Sequence, residues 1–154
     1  MTALPLHILV DGDACPVKAE IYKVAERHKV PVLVIANSFV RVPDNPLFRS
    51  ITVDTGFDAA DDEIAGVAGQ TSIVVTSDIL LADRCLKAGA RVLRPNGKEF
   101  TDASIGGAIA TRAIMADLRA EVGQQHIGGP PPFTSKDRAL FLQSLDRLIV
   151  QMAA

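Results

Sequence analysis

Apolar residues in this chain gather in short unbroken runs that stop at polar ones. Ile8-Leu9-Val10 stops at Asp11, and Pro31 to Ala36 stops at Asn37. Ser50 to Val53 stops at Asp54, Ser72 to Thr76 at Ser77-Asp78, and Ala90 to Leu93 just before Pro95-Asn96-Gly97. Unbroken runs of this length, bounded by turn formers, read as strands covered on both faces. Between them the spacing becomes helical. Val17, Ile21, Val24 and Ala25 share one face of a helix over about 16–29, with Pro16 at its first position. Phe57, Ala60, Ile64, Val67 and Ala68 do the same around a helix over about 59–68, with Asp58 as its cap. Ile79, Ala82 and Leu86 line a helix over about 79–88 that closes on Gly89. Strands alternating with helices predict an α/β fold of three layers: a mostly parallel five-stranded sheet with helices on both faces. From about 101 the pattern is helical. It is interrupted by the Gly- and Pro-rich stretch Ile127 to Phe133 and resumes as a last helix of about 135–152, for which Thr134 and Asp137 make a capping pair. With no internal repeat, a single domain spanning 1–154 is expected.

Where the runs stop is where chemistry is expected. In open parallel sheets, ligands bind beyond the carboxyl ends of the strands. Two strands end in acid, at Asp11-Gly12-Asp13 and at Asp78. If those strands are neighbours, Asp11 and Asp78 stand side by side. Asp13 points the same way as Asp11 if the extended backbone continues, and Gly12 would let a ligand approach the main chain. On the second helix Asp61 falls inside the apolar face, between Phe57 and Ile64. On the third, Asp83 falls between Ile79 and Leu86. Buried unpaired carboxylates are costly, so Asp11, Asp61, Asp78 and Asp83 are read as ligands of a hard divalent ion, Mg²⁺ or Mn²⁺. Such an ion orients phosphate and acidifies water, which points to phosphodiester hydrolysis. Asp13 would be a further ligand or a base. Asn37, Arg41 and Arg49, beside the same edge, would contact a phosphate-bearing substrate. Thr76 and Ser77 would contact substrate or support the ligands.

Composition narrows the alternatives. The net charge is −2, with 13 Asp against 5 Glu. Residues 1–90 carry 8 basic and 12 acidic side chains, and residues 91–154 carry 8 basic and 6 acidic. An acidic half beside a mildly basic one suits a metal site next to a phosphate-bearing ligand. The two cysteines, Cys15 and Cys85, have no zinc-ligand spacing, and the three histidines are scattered. No membrane span or signal peptide is visible, so a cytoplasmic protein with no membrane partner is expected. Cys15 precedes a helix start that would stabilise a thiolate, but a small packing residue is the expected role.

Several segments together resemble a known family. They are Val10-Asp11-Gly12-Asp13-Ala14-Cys15-Pro16, Ala36-Asn37, Arg41-Val42-Pro43, Gly56 to Ile64, Thr76 to Ala82, Pro95-Asn96-Gly97, and Gly128-Gly129-Pro130 followed by Asp137-Arg138. This pattern, spread over nearly the whole chain, is similar to the YaiI/YqxD family of bacterial proteins. The resemblance implies a fold grouped with the PIN-like nucleases, which use a few acids around Mg²⁺ or Mn²⁺ to cut RNA or, in some branches, DNA. It implies that the first acid of that site is Asp11, the mid-chain one Asp61, and the later ones Asp78 and Asp83. The expected function is thus a metal-dependent nuclease acting on RNA. Two rivals remain. One is a phosphohydrolase of haloacid-dehalogenase type, with Asp11 and Asp13 as nucleophile and acid and Lys98 as its lysine. The other is a non-catalytic domain that binds a nucleotide, RNA or a partner protein.

Overall fold

The computed structural model describes residues 5–53, 56, 58–121 and 133–153, without the side chains of 117–121. Six strands form one sheet: β1 (His7–Asp11), β2 (Val32–Ala36), β3 (Phe48–Thr52), β4 (Ser72–Val75), β5 (Arg91–Leu93) and β6 (Glu99–Phe100). Among the described residues five helices accompany them: α1 (Lys18–His28), α2 (Ala59–Val67), α3 (Ile79–Lys87), α4 (Asp102–Glu121) and α5 (Ser135–Ala153). The spatial order is β3-β2-β1-β4-β5-β6, parallel except for β6, which runs antiparallel to β5. The fold is therefore the α/β architecture that the alternating pattern predicts, with one strand more. β6 spans two residues after the turn at Pro95–Gly97, too short for any periodicity to register.

Side-chain alternation along the strands divides the core into two halves. Ile8, Val10, Val34, Ile73 and Val75 pack with Ile21 and Val24 of α1 and Phe141 and Leu145 of α5. Leu9, Ile35 and Val74 face the other way, onto Ala60 and Ile64 of α2, Leu81, Ala82 and Cys85 of α3, and Ile105 of α4. The face predicted for α1 is the buried one: Val17, Ile21, Val24 and Ala25 are all inaccessible or nearly so. That helix begins two residues later than Pro16 suggests, with Val17 as its N-cap. The capping pair of α5 is present: the Thr134 N–H donates to Asp137 Oδ2 at 2.9 Å, and the Asp137 N–H donates to Thr134 Oγ1 at 3.2 Å. The chain leaves α3 through Gly89, whose φ of 96° only glycine adopts readily. Of the Gly- and Pro-rich stretch, only Phe133 lies within the described residues; Phe57 lies outside them.

The strand order decides where a ligand can sit. The chain winds outward from β1 through β2 to β3, then returns to place β4 on the other side of β1. Beyond the carboxyl ends of β1 and β4 lies the switch point, the place where open α/β sheets bind their ligands. Among the described residues, no helix is long and apolar enough to cross a membrane.

Candidate active site

Asp11 closes β1, and β1 pairs with β4 through Val10 and Val75. The residue after Val75 is Thr76, so Asp11 and Thr76 stand level at the switch point. Asp11 shares the face of Leu9, and Thr76 that of Val74, so both side chains lie on the α2–α3 side of the sheet. The Thr76 hydroxyl is buried and donates to Asp11 Oδ2 at 2.9 Å. Its oxygen in turn accepts the Asp78 N–H at 3.0 Å. One threonine thus ties the two strand ends together. Its hydroxyl makes two bonds, one to Asp11 and one to the Asp78 amide. Asp78 caps α3: Oδ1 accepts from the N–H groups of Leu80 and Leu81 at 2.9 and 3.2 Å. A capping role and a ligand role are compatible, because Oδ2 accepts neither of these bonds.

Asp61, in the first turn of α2, completes the group electrostatically. Burial, then Asp78, Asp11 and Asp58, push its carboxyl up to about 6, against a smaller opposing pull from Arg84. Burial raises Asp11 as well; the Thr76 hydrogen bond offsets part of this, and Asp78 and Asp13 add to it, while Lys18 opposes. Acids from β1, α2 and the β4–α3 junction therefore lie within one another's fields. An unfolded Asp61 ionises near 3.8, and the folded one near 6. Ionised Asp61 thus carries a stability penalty that is absent below about pH 4, sets in as pH rises toward 6 and is complete above it. Asp61→Asn is accordingly expected to be more stable than the wild type at pH 7.5 without divalent ions. Discounted for solvent screening, the gain is about 1 kcal/mol. Thermal unfolding at pH 7.5 and at pH 4 checks this: the difference should vanish at the lower pH.

Other residues depart from their predicted places. Asp13 does not point along with Asp11, because the backbone leaves the strand and makes a 3-10 turn over Gly12–Ala14. Its carboxylate instead accepts the Asn37 N–H, at 2.9 Å to Oδ2, binding the end of β1 to the loop after β2. Gly12 is buried rather than open to a ligand: a Cβ there would meet Val34 Cγ1 at 2.7 Å and Ala36 Cβ at 3.1 Å. Asp58 stands at the N-cap of α2 but makes no capping bond, since its backbone is left-handed at φ 63°. Asp83 lies across the helix from the buried Leu81, Ala82 and Cys85 and pairs with Lys87 at 2.9 Å. The buried face of α3 is rotated from the predicted Ile79–Ala82–Leu86 stripe because the helix also packs on α4. Arg49 is not in a loop at the sheet edge but inside β3, opposite Leu33, two residues short of the level of Asp11. Arg41 and Asn37 are exposed beyond the end of β2, as the sequence places them.

Burial raises the Cys15 thiol, and Cys15 packs against the α1–α5 half of the core as a small packing residue would. Cys85 is buried, its thiol pushed up to about 11. His28 Nε2 and Asp146 Oδ1 share a hydrogen bond of 2.6 Å that joins α1 to α5.

A cavity of about 360 Å³ opens at the same sheet edge, lined by Ala14 and Ser77, which follow Asp13 and precede Asp78 in the chain, and by Arg94 and Asn96. Arg94 directly follows β5, so it stands at the same sheet edge as Asp11 and Asp78. Its guanidinium lies 3.9 Å over the Phe100 ring, and its buried Nε has no hydrogen-bond partner among the described residues. Arg94 is a site residue that the apolar runs alone do not mark, although, like Asp11, it is the polar residue at which one of them stops.

The donor set suits a hard cation, since every candidate ligand is a carboxylate oxygen. Among the described residues, no three such side chains close around one point. Mg²⁺ is commonly held by one or two carboxylates, waters and substrate phosphate, and Asp11 with Asp78 fits that requirement.

Fold and site together define a parallel α/β protein with an acidic switch point flanked by a cavity carrying an arginine. The chain belongs to the YaiI/YqxD family: the family model described as "Uncharacterized BCR, YaiI/YqxD family" matches residues 9–151. It is 66% identical over 145 residues to a "UPF0178 protein" of Sphingopyxis alaskensis, covering 94% of each chain. It is 56% identical over 149 residues to one of Nitrobacter winogradskyi, covering 97% of this chain and 92% of that one. It is also 54% identical over 151 residues to one of Rhodopseudomonas palustris, covering 98% of this chain and 91% of that one. No solved structure matches the chain.

Proposed function

We propose that this protein is a metal-dependent phosphodiesterase of PIN-like type that acts on RNA. The observation that carries the reading is the Thr76 bridge, which ties Asp11 and Asp78 together at the carboxyl ends of adjacent parallel strands, where this class of sheet binds ligands. Asp11 and Asp78 would hold Mg²⁺ or Mn²⁺. Asp61 lies within the fields of both and would be a third ligand or a proton acceptor. When bound, the ion supplies positive charge for a phosphodiester and acidifies water. Thr76 fixes the carboxylate of Asp11, and Asp13 fixes the loop that presents Asn37 and Arg41 to substrate. Asp83, engaged with Lys87, would join only on exchanging that partner. The haloacid-dehalogenase reading gains no support, because Asp13 is turned to the Asn37 amide and Lys98 is exposed beyond β5.

Calorimetric titration with Mn²⁺ of the wild type, Asp11→Asn and Asp78→Asn tests the proposal, with cleavage of mixed RNA and DNA oligonucleotides read in parallel. The wild type is expected to bind the ion and cut RNA, and both variants to lose both. A wild type that neither binds Mn²⁺ nor cuts would leave a binding domain with structural acids.

A further inference from the structure

We propose that the cavity at the carboxyl edge of the sheet seats one unpaired nucleotide of a single-stranded nucleic acid, its base against Phe133 and its phosphate on Arg94. This deepens the phosphodiesterase reading and rests on it for the cleavage step. The volume, about 360 Å³, lies in the range of small-molecule sites. Its lining is mostly apolar, with Pro16, Pro95 and Phe133 among its residues. Arg138 lies 4.9 Å over that ring and is itself anchored, its Nη1 donating to Pro16 O at 2.7 Å and to Glu20 at 3.2 Å. Phe133 is therefore held on one side and still 37% exposed, which is how a stacking surface is presented.

The polar groups are few and of both kinds. Asn96 Oδ1 accepts the Lys98 N–H at 3.0 Å, leaving its amide NH₂ to donate. Asp137 Oδ2 takes both Thr134 bonds, leaving Oδ1 to accept. Ser77 adds a hydroxyl and Arg94 the positive charge. A planar heteroaromatic ring with donors and acceptors on its edge, joined to an anion, uses all of these. Free phosphate leaves the apolar walls unused, and an aliphatic ligand leaves the polar groups unpaired. A base stacked inside a duplex cannot enter a concave site, so the nucleotide must be unpaired.

A second aromatic ring supports a strand rather than a free nucleotide. Phe39 is 76% exposed, two residues beyond the Asn37 that binds Asp13. β2 and β4 flank β1 on opposite sides. Phe39 follows β2, and the cavity is lined by residues that follow β1, β4 and β5, so both stand at the sheet edge that carries Asp11 and Asp78.

Fluorescence anisotropy of the full chain with short labelled oligonucleotides in EDTA tests this without requiring cleavage. The probes are a mixed-sequence single strand, the same sequence as a duplex, and an abasic strand that keeps every phosphate. The wild type should prefer the single strand over both others by at least about tenfold. Phe133→Leu, at an exposed position, should stay folded by circular dichroism and weaken single-strand binding by about 5- to 100-fold. Arg94→Gln should weaken it comparably; if it misfolds, Phe133→Leu decides alone. Unchanged single-strand affinity in Phe133→Leu, or equal binding of duplex and single strand, overturns the inference. Cleavage in Mn²⁺ separates the two proposals. Phe133-dependent binding with no cleavage of any substrate removes the phosphodiesterase reading and keeps this one. Asp11-dependent cleavage that Phe133→Leu leaves untouched does the reverse.

Discussion

Asp11→Asn should abolish ion-dependent cleavage, lowering its rate by more than about 10²-fold, while the protein stays folded and melts no lower than the wild type. The substitution keeps the shape of the side chain and an oxygen to accept the Thr76 hydroxyl, so the link between β1 and β4 survives. It removes a carboxylate that burial, Asp78 and Asp13 all disfavour in its charged form. A purely structural acid would behave in the opposite way, since losing a paired carboxylate destabilises. The loss of a positioned charge at a reacting phosphate is typically worth several powers of ten. Thr76→Val gives the graded companion. It leaves Asp11 in place but unanchored, and effects of about 10- to 100-fold are usual for such supporting partners. Initial rates on RNA, with melting curves on the same samples, read both. Asp11→Asn cleaving within about threefold of the wild type would remove Asp11 from the site.

The largest effect on folding is expected at Gly97→Ala. Gly97 has a φ of 87°, and a Cβ there would lie 2.7 Å from both C and O of Leu140 and 3.0 Å from the N of Phe141. Those are main-chain atoms of α5, which cannot rotate out of the way. The helix would have to shift as a body, and α5 carries Phe141, Leu145, Leu148 and Ile149 into the core. Backbone strain and overpacking each cost about 1–3 kcal/mol, so a loss of about 3 kcal/mol is expected. In a chain of this size that lowers Tm by roughly 6–12 °C. Gly66→Ala makes the control: nothing lies within 4 Å of its Cβ, and it sits in a helix, where alanine is preferred. If Gly97→Ala melts with the wild type, α5 is not seated on the Pro95–Gly97 turn.

Apolar run and helical period were enough to place the helical tracts that frame the sheet, the five parallel strands, and the acids that close β1 and follow β4. These features are local: a strand buried on both faces must be apolar throughout, and the polar residue that ends it must lie at the sheet edge. Asp61 was also legible, because an acid within an apolar helical stripe is a local anomaly. Tertiary structure decided the rest. Whether Asp11 and Asp78 are neighbours depends on β4 pairing with β1, a contact more than sixty residues apart in sequence. Packing against Val34 and Ala36 turns the chain at Gly12 and sends Asp13 to Asn37. Leu81, Ala82 and Cys85 form the buried face of α3, and Asp83 is left with Lys87 one turn on. The cavity that joins Ala14, Ser77, Arg94 and Phe133 draws on four separate stretches of chain. Residues fix which groups are available and how each segment repeats; only burial of the two faces of one sheet chooses which of those groups meet.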